Sequence, residues 1–271
     1  MRPCADAPDH PHWRWRDRVL DNAGPMAHET TVLDVGCGEG LIGFGALERG
    51  AGDVVFSDIS SDLLGVCRAR ALELGIADRC RFVQAPAEHL GPIESESVDV
   101  AATRSVLIYV ADKAAAFREL ARVLRPEGRV SLFEPINRFA RTSGDTWAGY
   151  DLSAIPKISR KVRAVYDELQ PPDTDPMLDF DERDLVRLAE ASGFFPIHLE
   201  LSAEIERTKP VDWDDFVSRA WNPRIPSLLD VMEQTLTSGE REQLTAHLGP
   251  LVEAGAGVHR MALALLWGTK A

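Results

Sequence analysis

The stretch Val32-Leu33-Asp34-Val35-Gly36-Cys37-Gly38-Glu39-Gly40 decides the fold of this chain. A β-type run beginning at Thr30 leads straight into three glycines spaced one apart, and a helical pattern follows from Leu41 to Arg49. A strand must turn sharply into a helix here. Glycine permits the φ angles such a turn needs and lets a ligand approach the backbone closely. The new helix offers unpaired N–H groups and the positive end of its dipole at the turn. The spacing is G-x-G-x-G, not the G-x-G-x-x-G of dinucleotide sites. Asp34 stands two residues before the first glycine. An acid there is badly placed for a pyrophosphate and well placed for an ammonium group.

Outward from the loop, strands and helices alternate. Strand patterns cover Asp53–Ser57, Cys80–Gln84, Val98–Thr103 and Arg129–Phe133, and helical ones Trp13–Ala23, Ser60–Leu74 and Ala111–Leu124. In the last helix Ala114, Phe117, Leu120, Ala121 and Leu124 recur at helical spacing. Pro126-Glu127-Gly128 is expected to end it in a turn. After Pro135 the rhythm breaks, and residues 136–180 show weak periodicity. It resumes with a helix from Asp181 to Ser192 and a strand from Phe194 to Leu201. A second interruption, 207–257, reads as helical around Trp213–Ala220, Ser227–Leu236 and Gly239–Val252, and His259–Trp267 closes as an apolar strand. The expected fold is α/β: a doubly wound, mostly parallel seven-stranded sheet, its last strand antiparallel, with helical cap insertions. The segments are an N-terminal arm and helix (1–30), a Rossmann-like half (31–135), a cap insertion (136–180), a return to the core (181–206), a second cap insertion (207–257) and a final core strand (258–271). The insertions are expected to pack on one another and roof the site, because long segments of this kind tend to be lids or binding loops. A homodimer partner is the competing place to bury their apolar residues.

A second acid, Asp58, ends the second strand about 22 residues beyond Gly36, where such folds place a carboxylate on ribose hydroxyls. Its plainer reading is a cap for the helix starting at Ser60. With the glycine loop, Ala87-Glu88 after the third strand, the stretch VDVAATRSVLIYV and the stretch LARVLRPEGRVSLFEP, the segment from Thr31 to Pro135 resembles the class I S-adenosylmethionine-dependent methyltransferases. The resemblance implies that the backbone of Gly36, Cys37 and Gly38 lines the methionine end of S-adenosylmethionine. It implies that Asp34 favours the cofactor's amino group, that Asp58 accepts from the ribose diol and that Ile59 packs on the adenine. Ala87 and Glu88 would border the adenine, although the family often has Asp or another polar residue where Glu88 stands. Thr103, Arg104 and Ser105 would line the passage between sulfonium and acceptor, and S-adenosylhomocysteine would be the product.

The reaction such a fold implies is methyl transfer to O, N, C or S of a small molecule. Catalysis would rest on proximity and desolvation, because the cofactor carries the electrophile. Arg104 and Tyr109, near the carboxyl ends of strands, are the catalytic candidates. Trp13, Glu134, Asn137, Tyr150, Tyr166 and Trp221 are candidates for the acceptor pocket, each with packing as the plainer reading. Trp13, Trp15 and Arg16 are candidates for a lid, against a helix packed on the sheet edge. The histidines, among them His10, His12, His89 and His259, read as solvated or structural residues. Three rivals share or neighbour the signature: a cyclisation or decarboxylation on the same fold, a binding protein without turnover, and a NAD-dependent oxidoreductase. The G-x-G-x-G spacing tells against the last.

Bulk composition narrows the classes. Hydrophobic residues make up 45% and charged ones 27%, which suits a globular core. A net charge of −13 argues against a nucleic-acid partner, which calls for a basic face. Cys4, Cys37, Cys67 and Cys80 form no C-x-x-C pair and have no histidine at ligand spacing, so neither a zinc site nor disulfides are expected. Met1 to Trp15 lacks the apolar core of a signal peptide, and no run is long enough to span a bilayer. The cytoplasm is the expected compartment.

Overall fold

Apolar residues in consecutive rather than alternating positions mark strands covered on both faces, and the first half of this chain builds its sheet from such runs. The computed structural model describes residues 11–141, 145–222 and 224–271, so the N-terminal arm with His10, and the side chain of His12, lie outside the described residues. In order come α1 (Pro11–Asn22), β1 (Thr31–Val35), α2 (Leu41–Glu48), β2 (Asp53–Asp58), α3 (Ser61–Glu73), β3 (Cys80–Gln84), β4 (Val98–Arg104), α4 (Lys113–Val123) and β5 (Leu124–Pro135). Then follow the short strands β6 (Thr146–Trp147) and β7 (Tyr150–Asp151), α5 (Pro156–Leu169), α6 (Glu182–Ala191) and β8 (Phe194–Arg207). The chain ends with α7 (Trp213–Ser218), α8 (Leu228–Thr235), α9 (Ser238–Glu253) and β9 (Val258–Lys270).

The main sheet has seven strands in the order β3-β2-β1-β4-β5-β9-β8. β1 pairs in parallel with β2 and β4, β2 with β3, and β4 with β5. β9 runs antiparallel to β5, with Ser131 opposite Trp267. The α/β reading with an antiparallel last strand therefore holds. β1 and β4 are adjacent while β2 leaves β1 in the other direction, so the strand order reverses at β1. Ligands of doubly wound sheets bind beyond the carboxyl ends of the strands at such a point, and the glycine loop leaves β1 there.

Three local expectations change. Pro126 and Glu127 do not simply end a helix before a fresh strand. β5 already pairs at Leu124, opposite Val98, then shifts register before Arg129 pairs with Val100. Glu127 takes a φ of 63° within that excursion, so the turn chemistry serves a bulge. The buried apolar stripe of α4 is Ala116, Phe117, Leu120 and Val123; Phe117 and Leu120 are as expected, Ala116 and Val123 replace Ala114 and Ala121, and Leu124 belongs to β5. The third concerns bounds: α5, a helix of 14 residues, lies in the first cap insertion, whose weak periodicity set no helix limits.

The described residues divide into two units. The first holds those up to Pro135, Glu182–Leu201 and Leu263–Ala271, and the second holds Ile136–Asp181 and Ser202–Ala262. The second unit has its own core. Tyr150, Leu152, Ile158 and Val162 of the earlier interruption pack with Phe216, Leu228, Val231, Met232, Leu244, Leu248 and Val252 of the later one. Most of the apolar side chains that raised the question of a dimer are thus covered within this unit. Capping boxes start two of its helices, Ser227 with Asp230 at α8 and Thr237 with Glu240 at α9. Among the described residues no helix is long and apolar enough to cross a membrane.

Candidate functional site

The loop after β1 is shaped by three positive φ angles, 64° at Gly36, 55° at Gly38 and 81° at Gly40. Gly36 and Gly38 need glycine for different reasons. A Cβ on Gly36 would come within 2.5 Å of Val106 Cγ2, so this glycine makes room for packing. A Cβ on Gly38 would meet nothing within 4 Å, so its backbone faces open space. That space is a cavity of about 390 Å³ in the first unit, within the usual range for a small-molecule site. Asp34, Gly36, Cys37, Gly38, Arg104, Ser105 and Trp13 line it, and they are seven of the residues singled out from the sequence.

Asp34 is 1% exposed, and its Oδ2 accepts the Gly43 N–H at 2.8 Å. Burial pushes its pKa up to about 7, with the neighbouring Asp58 adding to the rise. The Gly43 N–H and the nearby Arg104 pull the other way. A buried carboxylate with so little compensation is poised for a cation. Arg104 is itself half-buried, and its pKa is lowered by burial against the pull of Asp34. Cys37 is buried, its N–H donating to Ser57 O at 2.9 Å. The hydrogen bond to Cys67, together with burial, pushes its thiol up, which keeps it protonated.

Asp58 is not the cap of α3, the plainer of its two expected roles. Its Oδ2 accepts the Gly38 N–H at 2.9 Å, and its Oδ1 accepts the Ser60 N–H at 2.9 Å. The cap of α3 is Ser60, whose hydroxyl accepts from Leu63 N. Asp58 therefore ties the end of β2 to the glycine loop and keeps lone pairs for further donors. Beside it Ile59 is 70% exposed, an apolar surface with no cover. The Ala85 N–H donates to Asp58 O at 3.1 Å, which brings the segment holding Ala87 (buried) and Glu88 (half-buried) to this strand end.

Other expected site residues turn out to be framework. Glu134 is 0% exposed, and its carboxylate accepts N–H groups of Val106, Leu107 and Ile108 at 2.9, 3.0 and 3.4 Å, with the Thr103 hydroxyl at 3.4 Å. Burial raises its pKa to about 7 against these bonds. It caps the short turn after β4. Thr103, its partner, is 1% exposed and packs between strands. Tyr109 is 59% exposed and is not among the residues lining the cavity. In the second unit Tyr150 is 2% exposed, a core residue whose hydroxyl donates to Thr208. Asn137 starts a short 3-10 turn, and Tyr166 and Trp221 line a separate cavity.

The N-terminal helix packs on β5, an inner strand, and not on the sheet edge. Trp15 packs on Phe133 with ring centroids 4.9 Å apart, while Trp13 lines the cavity with Arg16 lying over its ring at 4.1 Å. Phe44, Glu48 and Arg70 also line the cavity and went unnoticed in the sequence. Phe44 carries the one available signal, a bulky ring within the first turn after the glycines.

These features suit S-adenosylmethionine. The bare backbone at Gly38 is a cradle that a Cβ would fill, Asp34 is a buried acid short of a counter-charge, and Ile59 is an exposed apolar face beside a carboxylate. Among the described residues no group of three or more His, Cys, Asp or Glu is arranged to hold a metal.

Comparison with known proteins gives the family. A family model described as a methyltransferase domain matches residues 33–132. The chain is 30% identical to the ubiquinone/menaquinone biosynthesis C-methyltransferase UbiE of Idiomarina loihiensis over 185 residues, which span 68% of this chain and 73% of that protein. It is 36% identical to a ubiquinone biosynthesis O-methyltransferase of Aliivibrio fischeri over 120 residues, 44% of this chain and 49% of that one. Among solved structures, the YcgJ protein of Bacillus subtilis superposes with a TM-score of 0.58 at 17% identity, covering 96% of this chain and 99% of that one. The last likeness is one of fold.

Proposed function

This chain belongs to the class I S-adenosylmethionine-dependent methyltransferases, and from that premise we propose that it methylates a small-molecule acceptor by in-line displacement. The observation that carries the proposal is the cavity walled by Asp34, Gly36, Gly38, Arg104 and Ser105, closed on one side by the glycine loop that Asp58 holds. When bound, the cofactor supplies an activated methyl group whose bond to sulfur breaks as the acceptor atom attacks. The protein's part is to bind, orient and exclude water.

In this reading Gly36, Cys37 and Gly38 line the methionine end, and Asp34 meets the amino group. Asp58 serves the ribose diol with the lone pairs its backbone partners leave free. Ile59, Ala87 and Glu88 border the adenine. Arg104 and Ser105 stand at the passage to the acceptor, and the positive guanidinium discourages a cationic acceptor. A base is needed only where the acceptor arrives protonated. The methyltransferase-domain match covers residues 33–132 of the first unit, while the 185-residue likeness to the Idiomarina loihiensis relative extends into the second. Curated relatives are named for transfer to carbon and to oxygen, so they do not decide the acceptor atom.

The test is transfer of label from S-adenosylmethionine carrying a tritiated methyl group, over a library of small phenols, amines, thiols and carbon acids. Labelled product together with stoichiometric S-adenosylhomocysteine supports the proposal. Cofactor turnover with no methylated product identifies another reaction on the same fold and overturns it.

A further inference from the structure

A second cavity, of about 310 Å³, is formed wholly by residues of the second unit. Its wall is aromatic and basic: Trp147, Tyr166 and Trp221 share it with Arg141, Arg260 and the imidazole of His259. No aspartate or glutamate is among its described lining residues. In a chain of net charge −13 that is a local reversal of sign.

The aromatic groups are arranged as ring surfaces. Trp147 and Tyr166 stack with centroids 5.7 Å apart and 30° between planes. Trp221 is 51% exposed and touches Phe216 edge-on, at 5.9 Å and 83°. A tryptophan held by one edge, with half its surface uncovered, has area to give to a ligand.

The charges separate into spoken-for and free. Arg141 pairs with Asp167 at 2.7 Å, Arg138 with Asp173 at 3.7 Å and Arg224 with Asp175 at 3.6 Å. Among the described residues Arg260 has no ion-pair partner, although it lines the cavity. An arginine is charged at every working pH and forms its strongest bonds with a carboxylate, two N–H groups to two oxygens.

We propose that this cavity binds a planar aromatic acid, its ring held among Trp147, Tyr166 and Trp221 and its carboxylate at Arg260. A neutral ring would cover Arg260 without pairing it, and a buried charge left unpaired is costly. A non-aromatic acid would forgo the stacking, and a cation would meet two arginines. The volume suits one bicyclic ring system. That this ligand binds does not rest on the function proposed above.

Calorimetry on the full chain tests this with 2-naphthoate, 2-naphthamide and cyclohexanecarboxylate as probes. The expected result is saturable one-to-one binding of 2-naphthoate, at least about ten-fold tighter than either comparison compound. Arg260→Gln should abolish the advantage of 2-naphthoate over 2-naphthamide. Trp221→Ala should weaken both aromatic ligands by about ten-fold. Circular dichroism checks that each variant is folded, and both positions are exposed enough for substitution to be tolerated. Equal affinity for the aromatic and the saturated acid overturns the proposal, as does a naphthoate preference that survives Arg260→Gln. S-adenosylhomocysteine titrated in a parallel experiment reports on the first cavity, so failure of the cofactor reading is distinguishable from failure of this one.

Discussion

Asp58 shows how one side chain serves fold and site together. Both its oxygens accept backbone N–H groups, from Gly38 and Ser60. Asp58→Ala should therefore weaken S-adenosylhomocysteine by roughly 1.5–3 kcal/mol and also cost about 1–3 kcal/mol of stability, because two donors lose a charged partner. Asp58→Asn keeps one oxygen acceptor and should lose less stability. Calorimetry and denaturant titration on the same samples check both halves, and an undiminished affinity in the alanine variant would reduce Asp58 to a structural tie. Asp34 makes the second prediction. Its folded pKa, raised to about 7 chiefly by burial, lies above that of the unfolded chain. Between about pH 4 and 7 the folded protein thus holds a proton the unfolded one has lost, so this group's contribution to stability falls as pH rises through that window. A cationic amino group needs the ionised form. S-adenosylhomocysteine affinity should rise with pH up to about 7 and then level, with protons released below that point, and Asp34→Asn should flatten the profile. A profile unchanged by Asp34→Asn would separate this carboxylate from the ligand.

Legibility at this scale divided by range. Asp34, Gly36 and Gly38 were readable because loop, strand and helix are contiguous in sequence. Glu134 was not, because the N–H groups it serves lie 26–28 residues away and nothing local announces them. A glutamate after an apolar strand looks like a ligand-facing acid until its partners are seen.

Elements were legible where the hydrophobic period was strong, and lost where punctuation misled. β1 to β4 fall within a residue or so of expectation. α5 was hidden by Pro156, which suggests a break but stands in the first helical turn, where a missing N–H costs nothing. Its buried apolar residues, Ile158 and Val162, sit four apart between cationic neighbours. The glycine loop gives the element-scale prediction. Gly36→Ala forces both a positive φ and the 2.5 Å approach to Val106, and should cost several kcal/mol of stability, on the order of 2–4. Gly38→Ala meets only the φ penalty, about 1–2 kcal/mol, so it should fold and instead lose cofactor affinity. Melting curves with and without S-adenosylhomocysteine separate the two, and equal destabilisation would contradict the division of labour.

At the scale of the whole molecule, two units with separate cores come from a chain that passes between them at residues 135–136, 181–182, 201–202 and 262–263. The expectation that the two interruptions pack on one another holds in their shared core, but which residues share it was not readable, since Val162 and Leu248 are far apart in the chain. Leu248→Ala in that core should destabilise by about 2–5 kcal/mol. The cofactor cavity is lined by the first unit alone, so the same variant should bind S-adenosylhomocysteine within about two-fold of the original wherever it remains folded. A large loss of affinity would show that the second unit helps to form the cofactor site.

The central claim is that the cavity at the glycine loop receives S-adenosylmethionine. It is tested most directly by calorimetric titration of the intact chain with S-adenosylhomocysteine, run beside NAD. The account predicts one site per chain with micromolar or tighter affinity, stabilisation of about 2.7 kcal/mol at a ligand concentration 100-fold above Kd, and no heat from NAD. Absence of binding at millimolar S-adenosylhomocysteine, or tighter binding of NAD, would contradict it.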